Sequence, residues 1–194
     1  MAAQIKGTVV DYGAHHSQDA GHARYGRDYS NKGFVPEWNA DNPVHLVGHS
    51  HGGPTIRCLQ HLLAENHFGW GSDHHWVKSL STISGVLNGS PLVFMFGADE
   101  QTGVMKRDGI CFNILKLVEC YTGMTGGLVN LNNIYDFDLD YWGYERRQDE
   151  TFSEYLDRVA ECPFLWQQDN APYSLTLQGA FETNHIWKTY PDTY

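Results

Sequence analysis

Two hydrophobic periods organise the chain. Val44-His45-Leu46-Val47-Gly48 is a near-continuous apolar run ending in a turn residue, the pattern of a strand buried on both faces of a parallel sheet. From Gly53 to Glu65 the spacing changes, and Ile56, Leu59, Leu62 and Leu63 fall on one side of a helix. Lys78 to Ser84 is a second β-rich run. Strand, helix, strand is the βαβ unit of an α/β sheet. Upstream, Gly7 to Tyr12 reads as a short strand, and Gly13 to Pro36 as an ordered polar loop rich in His, Gly and Asp. A loop that long in a compact domain usually serves function or ligand binding. Leu92 to Met124 is mixed apolar and helical in character, and Tyr135 to Gly143 is aromatic and acidic. Thr151 to Ala160 reads as a helix opened by a capping box, Thr151 with Glu154 three residues on. Ala171 to Lys188 reads as one further helix. No repeat or linker interrupts the 194 residues, so a single α/β domain over 1–194 is expected.

The turn between the first apolar strand and its helix is Gly48-His49-Ser50-His51-Gly52. A serine hydroxyl is a poor nucleophile until it is presented and a base takes its proton. A sharp strand-to-helix turn solves the presentation problem, with glycines two before and two after relieving side-chain clashes. The helix directs its positive end at a developing oxyanion, and the backbone N–H of the next residue, His51, is one oxyanion donor. The five-residue pattern is common by chance. The flanking strand and helix give it meaning; the alternative is a glycine-rich turn whose serine caps the helix.

His15, His16 and His22 share one polar loop with Asp11 and Asp19. Residues 16 and 22 cannot share one face of a regular helix, but in a folded loop they can converge on a metal ion, with a distant carboxylate completing the set. The alternative is a solvated loop. His74 and His75 flank the second β run, and His45 and His49 read as packed or hydrogen-bonded. Asp136, Asp138 and Asp140 alternate with aromatic and aliphatic residues, as on a solvated strand face or at a calcium site. Cys58, Cys111, Cys120 and Cys162 contain no Cys-x-x-Cys pair, which argues against a thiolate zinc site. Cys58 reads as buried on the apolar side of its helix; a Cys111–Cys120 bridge and four unpaired thiols both remain open.

Hydrophobic residues at 41% and charged residues at 19% describe a globular chain. A formal charge of −10 repels phosphate backbones, which argues against a nucleic-acid partner. No apolar run is long enough to span a membrane, and the first residues lack the apolar stretch of a signal peptide.

Several stretches together resemble the thermoalkalophilic zinc-containing bacterial lipases, a family of α/β-hydrolases, and their eukaryotic relatives. They are Val10-Asp11-Tyr12-Gly13-Ala14, Gly21-His22-Ala23-Arg24-Tyr25-Gly26-Arg27, the elbow with its strand, Tyr135 to Gly143, Asp169-Asn170-Ala171-Pro172-Tyr173, and Pro191-Asp192-Thr193-Tyr194. The resemblance implies hydrolysis of triacylglycerols and other carboxylic esters at a lipid–water interface, by a secreted enzyme with Ser50 as nucleophile. It implies a structural zinc on His16, His22 and Asp169, and a helical lid within Leu92 to Met124. Family members are longer at both ends. The implied fold is therefore a partial α/β-hydrolase, truncated at both ends, with apolar sheet edges left open. The fourth zinc ligand and second oxyanion residue would lie before Met1, and the catalytic acid and histidine beyond Tyr194. Weak zinc binding, with water in the fourth place, is expected. The residue after the nucleophile, often Gln in the family, is His51 here. His185 matches a non-catalytic position. The competing readings are an inactive lipase-like protein that binds lipid or zinc, and a short-chain carboxylesterase.

Overall fold

The structure, a computed structural model, describes residues 1–106, 109–110, 146–161 and 167–187. Two compact units emerge. One comprises residues 1–11, 25–90 and the segment from Gly179; the other comprises residues 12–24 and 91–178.

In the first unit, α1 (Ala2–Lys6) ends on Gly7, whose left-handed φ of 83° closes the helix. Nothing in the local periodicity marks this short helix, and it precedes the expected strand, β1 (Val9–Asp11). β1 pairs antiparallel with β2 (Tyr25–Asp28). β3 (Val44–His49) runs into α3 (Gly52–Ala64), then a 3-10 turn at His74–Trp76 and β4 (Val77–Ile83). β3 and β4 are parallel, with Leu46 opposite Leu80 and His49 opposite Ile83. This is the expected βαβ unit of an α/β fold.

α3 packs the stripe Ile56, Leu59 and Leu63 against Leu46, Leu80, Val77, Trp76 and Trp38. Trp38 and Leu63 are completely buried, each worth about 2 kcal/mol of apolar transfer. The Trp38 indole N–H donates to the Trp76 carbonyl at 2.8 Å. Lys6 ties α1 to this core by donating to the Pro36 and Trp38 carbonyls.

β3 departs from expectation in one respect. Leu46 and Gly48 are buried, but His45, Val47 and His49 on the opposite face are exposed. The apolar run is thus buried on one face only, because among the described residues only the α3 side of the strand is covered. His45 Nδ1 lies 2.7 Å from the Ser79 hydroxyl on the open face. Cys58 is half-buried on α3, not fully buried as its helical position suggests, and burial raises its thiol pKa. The thiolate is therefore depleted near pH 8.5, and iodoacetamide should alkylate Cys58 several-fold more slowly than free cysteine there. A rate equal to that of the free amino acid would contradict the burial.

In the second unit the polar stretch after β1 is not all loop: α2 (Ala14–Ala20) lies within it. α4 (Leu92–Met95) is a single turn, followed by a reverse turn closed by the Ala98–Met105 bridge. The mixed region expected from Leu92 onward thus begins with a tight turn instead of a long helix. The remainder of that region, Asp136, Asp138, Asp140, Cys111, Cys120, Cys162 and the last seven positions lie outside the described residues. α5 (Phe152–Glu161) carries the expected capping box. The Thr151 N–H donates to Glu154 Oε2 at 2.8 Å, and the Glu154 N–H donates back to Thr151 Oγ1 at 3.3 Å.

The helix expected over Ala171 to Lys188 is broken into α6 (Ala171–Ser174) and α7 (Leu177–Ile186). Thr176 is buried, and its hydroxyl donates to the Tyr173 carbonyl at 2.6 Å. That bond engages the acceptor a continuous helix would offer to Leu177. No helix among the described residues is long and apolar enough to cross a membrane.

Candidate active site and metal centre

Ser50 stands at the point where β3 becomes α3. Its φ is +54°, a left-handed conformation that costs a non-glycine residue about 1–2 kcal/mol and marks a site held by its surroundings. Three backbone bonds hold it: the Ser50 N–H donates to the Ile83 carbonyl at the end of β4 at 3.0 Å, and the Ser50 carbonyl accepts from the Gly53 N–H at 3.0 Å and from the Val86 N–H at 3.4 Å. The first residue of the helix cap is His51, without a side-chain capping bond. Ser50 Oγ therefore does not cap α3, and it enters no hydrogen bond among the described residues.

The glycines around the turn are not equivalent. A Cβ on Gly48 would meet the Gly52 carbonyl oxygen at 2.3 Å, so the strand and the helix start touch backbone to backbone. A Cβ on Gly52 would meet nothing within 4 Å. The expectation that both glycines relieve clashes holds for Gly48 and fails for Gly52. The second close approach is at Gly53, whose Cβ would lie 2.9 Å from Gly85 Cα.

His51 is half-buried, and burial pushes its imidazole below the ordinary histidine value. The ring is therefore neutral at pH 7, and the backbone N–H at the start of α3 is the group suited to an oxyanion. His185 is exposed on α7, with Nδ1 3.2 Å from the Phe181 carbonyl and its ring 4.4 Å from the Phe181 ring.

His16, His22 and Asp169 come together in the second unit. His16 sits within α2; Gly21, with φ 76°, then reverses the chain so that His22 returns beyond the helix end. The His22 N–H donates to the Ser17 carbonyl at 3.1 Å and holds that return. Asp169 arrives from the turn before α6, where Asn170 accepts from the Tyr173 N–H at 2.8 Å and donates to the Gln167 carbonyl at 2.7 Å.

His22 Nε2 lies 3.2 Å from His16 Nε2 and 3.6 Å from Asp169 Oδ2, and His16 Nε2 lies 3.3 Å from the same oxygen. Metal bonds of about 2.0–2.1 Å in tetrahedral geometry place ligand atoms roughly 3.3–3.4 Å apart, so the triangle has the size of one tetrahedral face. The tautomer also fits. His22 Nδ1 is 2.8 Å from the Ala23 carbonyl, which requires a proton on Nδ1 and leaves Nε2 a bare lone pair. The His22 ring is almost wholly buried, at 1% exposed, against the edge of Tyr12. His15, by contrast, forms an exposed 2.8 Å pair with Asp19 and contributes little.

Sequence reading from the residues alone singled out the two histidines; only the family resemblance supplied Asp169, because a partner about 150 positions away leaves no local signal. The split roles of Gly52 and Gly53 were missed for a similar reason. They depend on Gly85, a neighbour brought in by the fold.

A sequence model of the family described as lipase-like, C-terminal domain, matches residues 1–193. The lipase of Staphylococcus hyicus is 32% identical over 206 residues, covering 98% of this chain and 29% of that protein. The crystal structure of the Staphylococcus hyicus lipase superposes with a TM-score of 0.74 at 31% identity, covering 100% of this chain and 49% of that one. EstA from Clostridium botulinum superposes with a TM-score of 0.66 at 33% identity, covering 100% of this chain and 45% of that one. The chain therefore spans less than a third of the matched lipase sequence and about half of each solved structure.

Proposed function

Because this chain belongs to the lipase-like, C-terminal domain family, we propose that it carries the nucleophile of a serine hydrolase acting on carboxylic esters, triacylglycerols foremost. The observation that carries this reading is Ser50: a non-glycine residue held at φ +54° between a parallel strand and the N-terminus of α3. In this reading Ser50 Oγ attacks the ester carbonyl, and the carbonyl oxygen takes the negative charge against the His51 N–H and the positive end of α3. Collapse of the tetrahedral species expels the alcohol and leaves an acyl-enzyme that water hydrolyses. A base for the Ser50 proton and a base-orienting acid are not assigned to residues of this chain. The Staphylococcus hyicus relative is named a lipase, which favours triacylglycerols over short-chain esters.

The test is covalent labelling of Ser50 by a fluorophosphonate, located by peptide mass mapping. Labelling of Ser50 within minutes supports an activated nucleophile. No labelling under conditions that label a control serine hydrolase favours the inactive lipid- or zinc-binding reading.

We also propose that His16, His22 and Asp169 hold a zinc ion in a structural role. Bound there, zinc supplies a cross-link, tying α2 and the segment beyond it to the turn before α6. His22→Ala should lower zinc affinity at least about 100-fold, measured by competition with a chromophoric chelator. His15→Ala should leave it within about threefold. Equal losses in both variants would contradict the ligand set.

A further inference from the structure

Among the described residues, Ser50 at φ +54° shares its left-handed backbone with Ser84 at φ +50°; the other non-glycine residues at positive φ are Asn31 and Asn66. Asparagine tolerates that conformation. At serine it marks a constraint from the surroundings. Ser84 is exposed, and its hydroxyl enters no hydrogen bond among the described residues, so the reason for its backbone lies in the path of the chain. Ser84 directly follows Ile83, the last residue of β4. The Ile83 carbonyl accepts from the Ser50 N–H at 3.0 Å, and the Val86 N–H donates to the Ser50 carbonyl at 3.4 Å. The stretch 83–86 thus grips both main-chain polar groups of Ser50. Extended backbone at Ser84 would carry β4 past Ser50 and take Val86 away from it. The left-handed turn instead seats Gly85 on the start of α3, where a Cβ on Gly53 would lie 2.9 Å from Gly85 Cα. Beyond the turn, Asn184 Nδ2 donates to the Leu87 carbonyl at 2.8 Å and anchors the departing chain.

We propose that Ser84 is a positioning residue for the nucleophile, acting through its left-handed backbone and not through its hydroxyl. The Ser50 carbonyl and the His51 N–H belong to one planar trans peptide, so they point in opposite directions. Two donors, from Gly53 and Val86, fix that carbonyl, and fixing it aims the His51 N–H at the place where the oxyanion develops. The Ile83 carbonyl fixes the other side of Ser50, and with it the direction of the Cα–Cβ bond that carries Oγ. The two strained serines are thus one device: the turn at Ser84 holds the turn at Ser50. The inference rests on the reading of Ser50 as nucleophile and deepens it.

The experiment follows fluorophosphonate labelling of Ser50 in the whole chain over a range of probe concentrations, which separates the maximal rate from the half-saturating concentration. Ser84→Val puts a β-branched residue, which tolerates positive φ poorly, at an exposed position. Its maximal rate should fall at least about tenfold with half-saturation unchanged, since misplacing reacting groups by about 1 Å costs on the order of 100-fold. Ser84→Asn, which accepts left-handed backbone, should stay within about twofold of the parent. Ser84→Thr keeps the hydroxyl and adds the β-branch, so it should show the valine loss to a lesser degree, and it stands in if valine prevents folding. Asn31→Val is the matched control: Asn31 is exposed at φ +61° in a different turn. It should lower the melting temperature by a few degrees, as Ser84→Val does, and leave labelling unchanged. All rates are taken well below the lowest melting temperature. A parent-like rate in folded Ser84→Val overturns the inference and leaves Ser50 as the nucleophile. So does an equal loss in Asn31→Val, or a loss in Ser84→Asn as large as in Ser84→Val. Failure of the parent chain to label at all overturns the nucleophile reading, and the inference with it.

Discussion

Ser50→Ala is expected to remove ester hydrolysis, with kcat falling roughly a millionfold where a complete triad operates. The measurement is p-nitrophenyl ester turnover by the longest active polypeptide that carries residues 1–194. Stability should barely change. Ser50 Oγ has no described hydrogen bond to lose, and alanine at φ +54° carries the same backbone strain as serine. Ser50→Gly separates strain from chemistry: it should be equally inactive but more stable by about 1 kcal/mol, since glycine adopts positive φ without penalty. Inactive, stabilised glycine and inactive, unshifted alanine together would mean that stability is given up at this position for presentation of a hydroxyl. Activity in the alanine variant within tenfold of the parent would remove Ser50 from the mechanism.

Gly48→Ala should be among the most destabilising single-methyl additions in the chain. Its Cβ would sit 2.3 Å from the Gly52 oxygen and 2.8 Å from the Gly53 nitrogen, all backbone atoms. Backbone cannot rotate away as a side chain can, so β3 and the start of α3 would have to separate, at about 3 kcal/mol or more. Gly52→Ala, four positions on in the same motif, meets open space. It should stay within about 0.5 kcal/mol of the parent or gain slightly from helix propensity. Gly53→Ala falls between, pressed against Gly85 Cα at 2.9 Å. Urea unfolding midpoints of the three variants test the ordering. Equal effects at Gly48 and Gly52 would mean that the turn is not packed as described.

How much of this was legible beforehand depended on the range of the interactions. The α3 stripe of Ile56, Leu59 and Leu63 and the capping box of Thr151 and Glu154 are properties of residues three or four apart, and both read correctly. The break between α6 and α7 did not, because it turns on Thr176 being buried with its hydroxyl on the Tyr173 carbonyl. β3 read as strand, but its two faces could not be told apart; a continuous apolar run does not say whether a neighbour covers Val47.

The sequence by itself determined the βαβ core and the position of Ser50 on its turn, and its family resemblance pointed to His16, His22 and Asp169 as a candidate metal centre. Hydrophobic period and motif order act over a few residues, so they survive in a linear string. Only the tertiary structure decided that Gly48 and Gly53 are sterically required while Gly52 is not. It alone showed that His16, His22 and Asp169 meet at 3.2–3.6 Å. Each of these is a distance between atoms that chain connectivity leaves unconstrained, and distances of that kind are set when the core packs.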